Sequence, residues 1–286
     1  MQLEHSRELR AFVRPLIAIA FLTTSAATFG QQDQERARVA PEEGAAPAAP
    51  PMPWNQVRII RVKGDRVADF EALIKELGSA VSRQGEDGFM VWQVVLGDQN
   101  TYHIVSQLQS FASLPELEAN PPMEQTQWAS WLERIRGTVD SQIMGVAQVH
   151  ADLSIPPQEA QAQPGQNPEL MILVTDTLLP GKRSDFVSLL RSELIPAFRE
   201  SPIIGLVTNE MAFGSGSGNW VFAVPIQNWA ELDKPMPLIT SMGQEAAEEL
   251  LNRAATMVAR SETIVLRSRP DLSAAPQQAQ AQGASR

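Results

Sequence analysis

The chain has 286 residues, 33 acidic against 23 basic, with 43% apolar residues, 21 prolines and no cysteine. A formal charge of −10 argues against a nucleic-acid-binding surface, because phosphate affinity needs concentrated Lys and Arg. The missing cysteine excludes disulfides, thiol catalysis, iron–sulfur clusters and cysteine-ligated zinc, so an acidic, folded chain must be stabilised by packing alone.

Residues 1–30 read as an export signal. Arg7, Arg10 and Arg14 precede the apolar stretch Leu16–Leu22, and Ser25, Ala26 and Ala27 offer a cleavage site. The alternative is a retained membrane anchor, but the apolar run is much shorter than the ~20 residues a spanning helix needs. An exported protein, periplasmic or secreted, is therefore expected, with no stable membrane insertion once the signal is removed. Residues 31–53 are rich in Gln, Glu, Ala and Pro without periodicity and read as a disordered tether.

A first ordered block spans residues 54–154. It opens with the β-branched strand Val57–Val62, and Val67, Phe70, Ile74, Leu77 and Val81 then recur at helical spacing. The strand Phe89–Leu96, a turn at Gly97–Asn100 and the strand Tyr102–Leu108 make a hairpin. Past a loop marked by Pro115, Pro121 and Pro122, a second helix carries Trp128, Trp131, Leu132, Ile135 and Val139. The strand Ile143–Ala151 closes the block. Residues 155–169, with four prolines, read as a linker.

A second block, residues 170–273, has the same order. It runs through strand Met171–Leu178, a helix from Asp185 to Phe198, strand Gly205–Phe213, a glycine hairpin at Gly214–Gly218 and strand Trp220–Ile226. Helix Gln244–Ala259 and strand Thr263–Ser268 complete it. Pro196 is expected to kink or end the first of these helices. Residues 274–286 read as a disordered tail.

The blocks are one pattern written twice. Gly64-Asp65-Arg66-Val67-Ala68-Asp69-Phe70 answers Gly181-Lys182-Arg183-Ser184-Asp185-Phe186, and Phe111-Ala112-Ser113-Leu114 answers Trp229-Ala230-Glu231-Leu232. Asp152-Leu153-Ser154 answers Asp271-Leu272-Ser273. The order β-α-β-β-α-β is the ferredoxin-like unit, whose four-stranded sheet keeps both helices on one face and leaves the other bare. The expected fold is α+β: two tandem ferredoxin-like units packed sheet to sheet as an intrachain α/β barrel. Two independent beads are the alternative.

The Lys-Gly or Pro-Gly turn, the Asp-Phe helix start, the glycine hairpin and the Trp/Phe-Ala-x-Leu after the third strand resemble the dimeric α/β-barrel superfamily. That grouping includes antibiotic-biosynthesis-monooxygenase-like and NIPSNAP-like domains, and the resemblance covers residues 54–273. It implies a fold more than an activity, since members include cofactor-independent oxygenases, haem enzymes, isomerases and proteins without known chemistry.

A motif search finds little chemistry. There is no Walker-type phosphate loop, no Gly-x-Ser-x-Gly elbow and no His-Glu-x-x-His. His103 and His150 lie on strands with no second ligand at metal spacing, so no metal and no cofactor are expected; the resemblance leaves haem ligation by either as an alternative. Trp92, Tyr102 and His103 on the first hairpin could line a pocket for a flat molecule. Alternation along the last strands puts Gln148, His150 and Asp152 on one face, and Arg267, Arg269 and Asp271 on the matching face of the second copy. If those faces look into the barrel, they could hold an anionic ligand; if outward, they make surface ion pairs.

The expected function is that of a non-catalytic barrel that binds a small apolar or anionic molecule, or serves as a structural or stress-response module. The alternative is a cofactor-independent monooxygenase-like or haem-dependent enzyme with its pocket between the sheets. A monomer, or a homodimer paired through a strand edge, fits either reading.

Overall fold

The computed structural model describes residues 54–84, 88–108, 110–111, 120–156 and 168–274. The expected signal, the tether, most of the linker and nearly all of the tail lie outside the described residues. The first half comprises β1 (Trp54–Val62), α1 (Val67–Gln84), β2 (Phe89–Leu96), β3 (Thr101–Leu108), α2 (Gln125–Thr138) and β4 (Val139–Val149). The second comprises β5 (Leu170–Leu178), α3 (Arg183–Leu189), α4 (Ile195–Arg199), β6 (Val207–Gly214), β7 (Asn219–Ile226), α5 (Pro237–Met242), α6 (Gln244–Ala255) and β8 (Val258–Ser268).

The eight strands close into one antiparallel barrel in the order β1-β3-β2-β8-β5-β7-β6-β4. Each half supplies four neighbouring strands, and the two sheets join edge to edge at β2–β8 and β4–β6. Closure removes the sheet edges that each half would otherwise expose along these seams. At the β4–β6 seam Gly145 stands opposite Gly214. A Cβ at Gly214, whose φ is +82°, would lie 2.3 Å from the Met144 carbonyl oxygen, so only glycine lets the strands approach there.

The helices pack outside, one core per half. Phe70 and Ile74 of α1 and Trp131 and Ile135 of α2 cover Ile60, Val91, Tyr102 and Ile104 of the first sheet. The Trp131 indole N–H donates to the Leu73 carbonyl at 2.9 Å, satisfying its one polar group inside this core. In the second half Phe186, Leu194, Leu238 and Leu250 pack around Trp220.

Each half also closes the other. After β4 the chain crosses onto β6: His150 N–H donates to the Thr208 carbonyl, Thr208 N–H to the Ser154 hydroxyl oxygen, and Ile155 N–H to the Leu206 carbonyl. After β8 it crosses onto β2 in the same way, with Arg269 N–H on the Val91 carbonyl, Val91 N–H on Ser273 Oγ and Phe89 N–H on the Ala274 carbonyl. Leu153 of the first half is thereby buried in the second core, and Leu272 of the second half in the first. Ion pairs repeat the exchange: Lys75 with Asp271 at 3.4 Å, Arg191 with Asp152 at 2.7 Å.

Three details depart from the sequence expectation. Pro196 does not end the helical run, which continues to Arg199. A π turn (Leu190–Leu194), closed by Ile195 N–H on the Leu190 carbonyl, widens the register so that the proline falls at the start of α4, where no N–H is required. β4 begins at Val139 and β8 at Val258, four and five residues earlier than expected. Their first halves are exposed on both faces, so they show no alternation and are held only by pairing with β1 and β5. Finally, the short helix α5 follows the glycine-hairpin strands where the sequence shows no apolar period.

Candidate functional site

Alternation assigns each strand residue to the helix layer or to the lumen. Ile60, Tyr102 and Trp220 pack on helices, so the residues one position away face inward. These are Val57 and Ile59 on β1, Trp92 and Val94 on β2, His103 and Val105 on β3, and Gly145 and Ala147 on β4. From the second half come Met171 and Leu173 on β5, Asn209 and Met211 on β6, Val221 and Ala223 on β7, and Ile264 and Leu266 on β8.

One side of the lumen carries a buried apolar cluster. Trp92, Val94 and Leu266 form a buried cluster with Met171, Leu173 and Ile264 packed against it. The repeat places Asn209 where Trp92 stands, Ala147 for Leu266, Gly145 for Ile264, Val57 for Leu173 and Asn55 for Met171. Each of these five replacements is smaller, whereas Met211, lying over Gly145, is larger than its counterpart Val94, Ile59 than Thr175 and Val149 than Ser268. Val57, Ile59, Val105, Leu173 and Val221 accordingly keep partial exposure in mid-strand, which a solidly packed interior would not allow.

His103 is the one titratable group among these mid-lumen residues. It is 7% exposed and stands between Trp92 on β2 and Ile59 on β1. No hydrogen bond or ion pair reaches its ring among the described residues. Burial pushes the imidazole down to about 4, so it is neutral at pH 7. The ring as a whole is buried, but its nitrogens are not among the sealed, unpartnered polar atoms of the described residues, which are Trp220 Nε1 and Arg267 Nε, so they border space that a ligand or a water can reach.

The other residues singled out in the sequence face away from the lumen. Tyr102 points into the helix layer, its ring 4.9 Å from Phe70 and its hydroxyl donating to Glu71 Oε1 at 2.8 Å. Arg269 binds both oxygens of Glu71 and of Asp271 and also donates to Gln93. Its guanidinium holds the Glu71 carboxyl below its usual range and the Asp271 carboxyl at about 2, while burial and Glu71 push the Tyr102 phenol up. His150 lies 3.1 Å from Glu210, which Arg183 clasps at 2.6 and 2.7 Å, and stacks on Trp220 at 4.9 Å. Arg267 faces outward beside Glu169 at 3.7 Å.

The structure thus separates Trp92 and His103, on the lumen face, from Tyr102, His150, Arg267 and Arg269, on the outer face. The anion site conditional on inward-facing arginines has lost its premise: Arg269 and His150 are outward and already engaged with carboxylates. Neither histidine presents a built haem site. His150 is committed to Glu210 and Trp220, and the wall around His103 offers no cation for propionates, since Arg61 at the rim is paired with Asp98 at 3.2 Å and Asp140 at 3.5 Å. No group of three His, Cys, Asp or Glu able to hold a metal occurs among the described residues. An open cleft of about 460 Å³ between α1 and α2 is lined by Glu76, Arg83, Met123 and Arg134, with Arg134 neutralised by Glu76.

No protein-family model matches the sequence, and no curated protein matches it. Solved structures do resemble it. A candidate monooxygenase from Lactobacillus acidophilus NCFM superposes with a TM-score of 0.53 at 10% identity, covering 79% of this chain and 97% of that one. Another, from Fusobacterium nucleatum subsp. nucleatum, gives 0.53 at 11% identity, covering 76% and 92%. The fold is the eight-stranded α/β barrel of these structures. An anthrone oxidase-like protein shares it at a TM-score of 0.52 and 12% identity, covering 76% of this chain and 92% of that one. In this tandem barrel both sheets come from one chain, as the repeat implied, and identities this low carry the fold and no activity. Among the described residues no helix of the tandem barrel is long and apolar enough to cross a membrane.

The site was partly visible in the sequence. His103 against Val221 marks the asymmetry between the halves, and aligning every strand of the repeat would have shown the replacement of Trp92 by Asn209 and of Leu266 by Ala147.

Proposed function

We propose that the tandem barrel is an exported, non-catalytic binding protein that holds a small, mainly apolar molecule in the unfilled side of its lumen. The observation that carries this reading is the size difference between the two sides, Trp92 and Leu266 on one and Asn209 and Ala147 on the other, together with the partial exposure of Val57, Ile59 and Val105 in mid-strand. An eight-stranded barrel is at the size where side chains either fill the interior or leave room for one small ligand. Apolar walls with few polar groups suit such a ligand. Among the described residues no hydrogen bond or ion pair joins the His103 ring to a carboxylate or a hydroxyl, the pairing that general-base or nucleophilic catalysis uses. The N-terminal pattern of Arg7, Arg10 and Arg14 before Leu16–Leu22 supports export.

The repeat supplies the blocking variant. Asn209→Trp with Ala147→Leu copies the filled side onto the open one, using side chains the same barrel already accommodates. N-phenyl-1-naphthylamine, a neutral apolar fluorophore, should bind the native protein saturably. The double variant should bind it at least about tenfold more weakly, while keeping the native strand signal in circular dichroism. Ala147→Leu alone serves if the pair does not fold. A folded variant that binds the probe as the native protein does would remove the reading.

A further inference from the structure

We infer that the lumen selects an uncharged molecule bearing a hydroxyl group, which hydrogen-bonds the imidazole of His103 while the body of the molecule lies on the side of Ile59, Val57 and Ala147, with Trp92 flanking the imidazole from the packed side. The inference rests on the lumen-binding reading and specifies its ligand class.

Three ligand types can be compared at this wall. A wholly apolar molecule would displace water from His103 and leave both ring nitrogens unpaired in a dry interior, which is unfavourable. An anion would enter a space whose mid-lumen wall carries no cation. The imidazole is neutral there, Arg61 at the rim already pairs with Asp98 and Asp140, and Arg260 with Glu262. A hydroxyl meets neither objection. It can donate to the bare ring nitrogen or accept from the N–H, so it suits either tautomer of the neutral ring.

Neighbouring geometry supplies the remaining specificity. Trp92 stands directly across from His103 in the β2–β3 pairing, and Ile59 flanks it from β1. The indole is anchored by Val94 and Leu266, so it presents a fixed apolar surface beside the ring. The second half has Val221 at the place of His103 and Asn209 at that of Trp92, so the two sides of the lumen differ in polarity as well as in size. The ligand is therefore held in one orientation.

A matched trio tests this on the full chain: 2-naphthol, 2-methylnaphthalene and 2-naphthoate, titrated at pH 7 into the native protein and His103→Leu. For the native protein 2-naphthol should bind about tenfold tighter than 2-methylnaphthalene, and 2-naphthoate should show no saturable binding. In His103→Leu the naphthol should come to within about twofold of the methylnaphthalene, whose own affinity rises because no ring nitrogen is left unpaired. If leucine is not tolerated, His103→Val copies the second half and should behave alike. A naphthol advantage that persists without His103, or naphthoate binding as tight as naphthol, overturns the inference while leaving lumen binding intact. If none of the three binds, lumen binding itself fails and this inference with it.

Discussion

His103→Leu should flatten the acid side of the protein's stability profile, and the gap between variant and native protein should widen as pH falls. In the folded barrel burial holds the imidazole at about 4. In the unfolded chain it returns to about 6.5. Between those values the unfolded state takes up a proton that the folded state refuses, so unfolding is favoured progressively as pH falls from about 6.5 towards 4. The native protein should lose about 2 kcal/mol from this source by pH 5 and roughly 3 kcal/mol by pH 4.

Leucine has no such proton. Above pH 7.5 the two proteins should differ by only about 1 kcal/mol in favour of leucine, which buries apolar surface where an unpaired ring stood. Urea midpoints at pH 8, 6.5, 5 and 4 check this. The depressed carboxyls of Glu71, Asp271, Glu210 and Asp152 add their own loss at low pH, but equally in both proteins, so the difference isolates His103. Parallel profiles would show that the imidazole takes up its proton in the folded barrel as it does in the unfolded chain, and the argument for a dry, burying wall around His103 would fall.

How far the sequence carried this reading depends on what kind of information each feature is. The barrel was legible because two local patterns, helical stripes such as Phe70–Ile74–Val81 and glycine turns such as Gly214–Gly218, recur in one order. A bare sheet face then needs a cover. Which way Tyr102, Arg267 and Arg269 point was not legible. Alternation says only that they share a face, and choosing lumen or helix layer needs the register across strands. Pro196 was misread because its intolerance belongs to an α-helical register, and the π turn before it changes that register. Nothing in the composition of residues 190–194 announces such a turn.

Substituting Leu272 or Leu153 with alanine should each destabilise the whole protein by about 3 kcal/mol, in a single transition rather than in one half. Both side chains are buried, 1% and 0% exposed, and each lies in the core of the half to which it does not belong in sequence. The repeated Asp-Leu-Ser at the two block ends looks from the sequence like a pair of terminators. In the barrel it is a reciprocal lock: the leucine fills the other half's core, the serine receives the backbone N–H of Val91 or Thr208, and the aspartate pairs with Lys75 or Arg191. Loosening the lock at Leu272 exposes the first core, and the β2–β8 seam beside it then loses support on the second half as well. Neither half keeps a complete core alone, so melting should stay two-state, with the midpoint lower by roughly 6–12 °C in either variant. Leu232→Ala, at an exposed position, should leave it within about 2 °C. Two resolved transitions in calorimetry, with Leu272→Ala moving only one of them, would mean that the halves unfold independently and that the crossing segments contribute little.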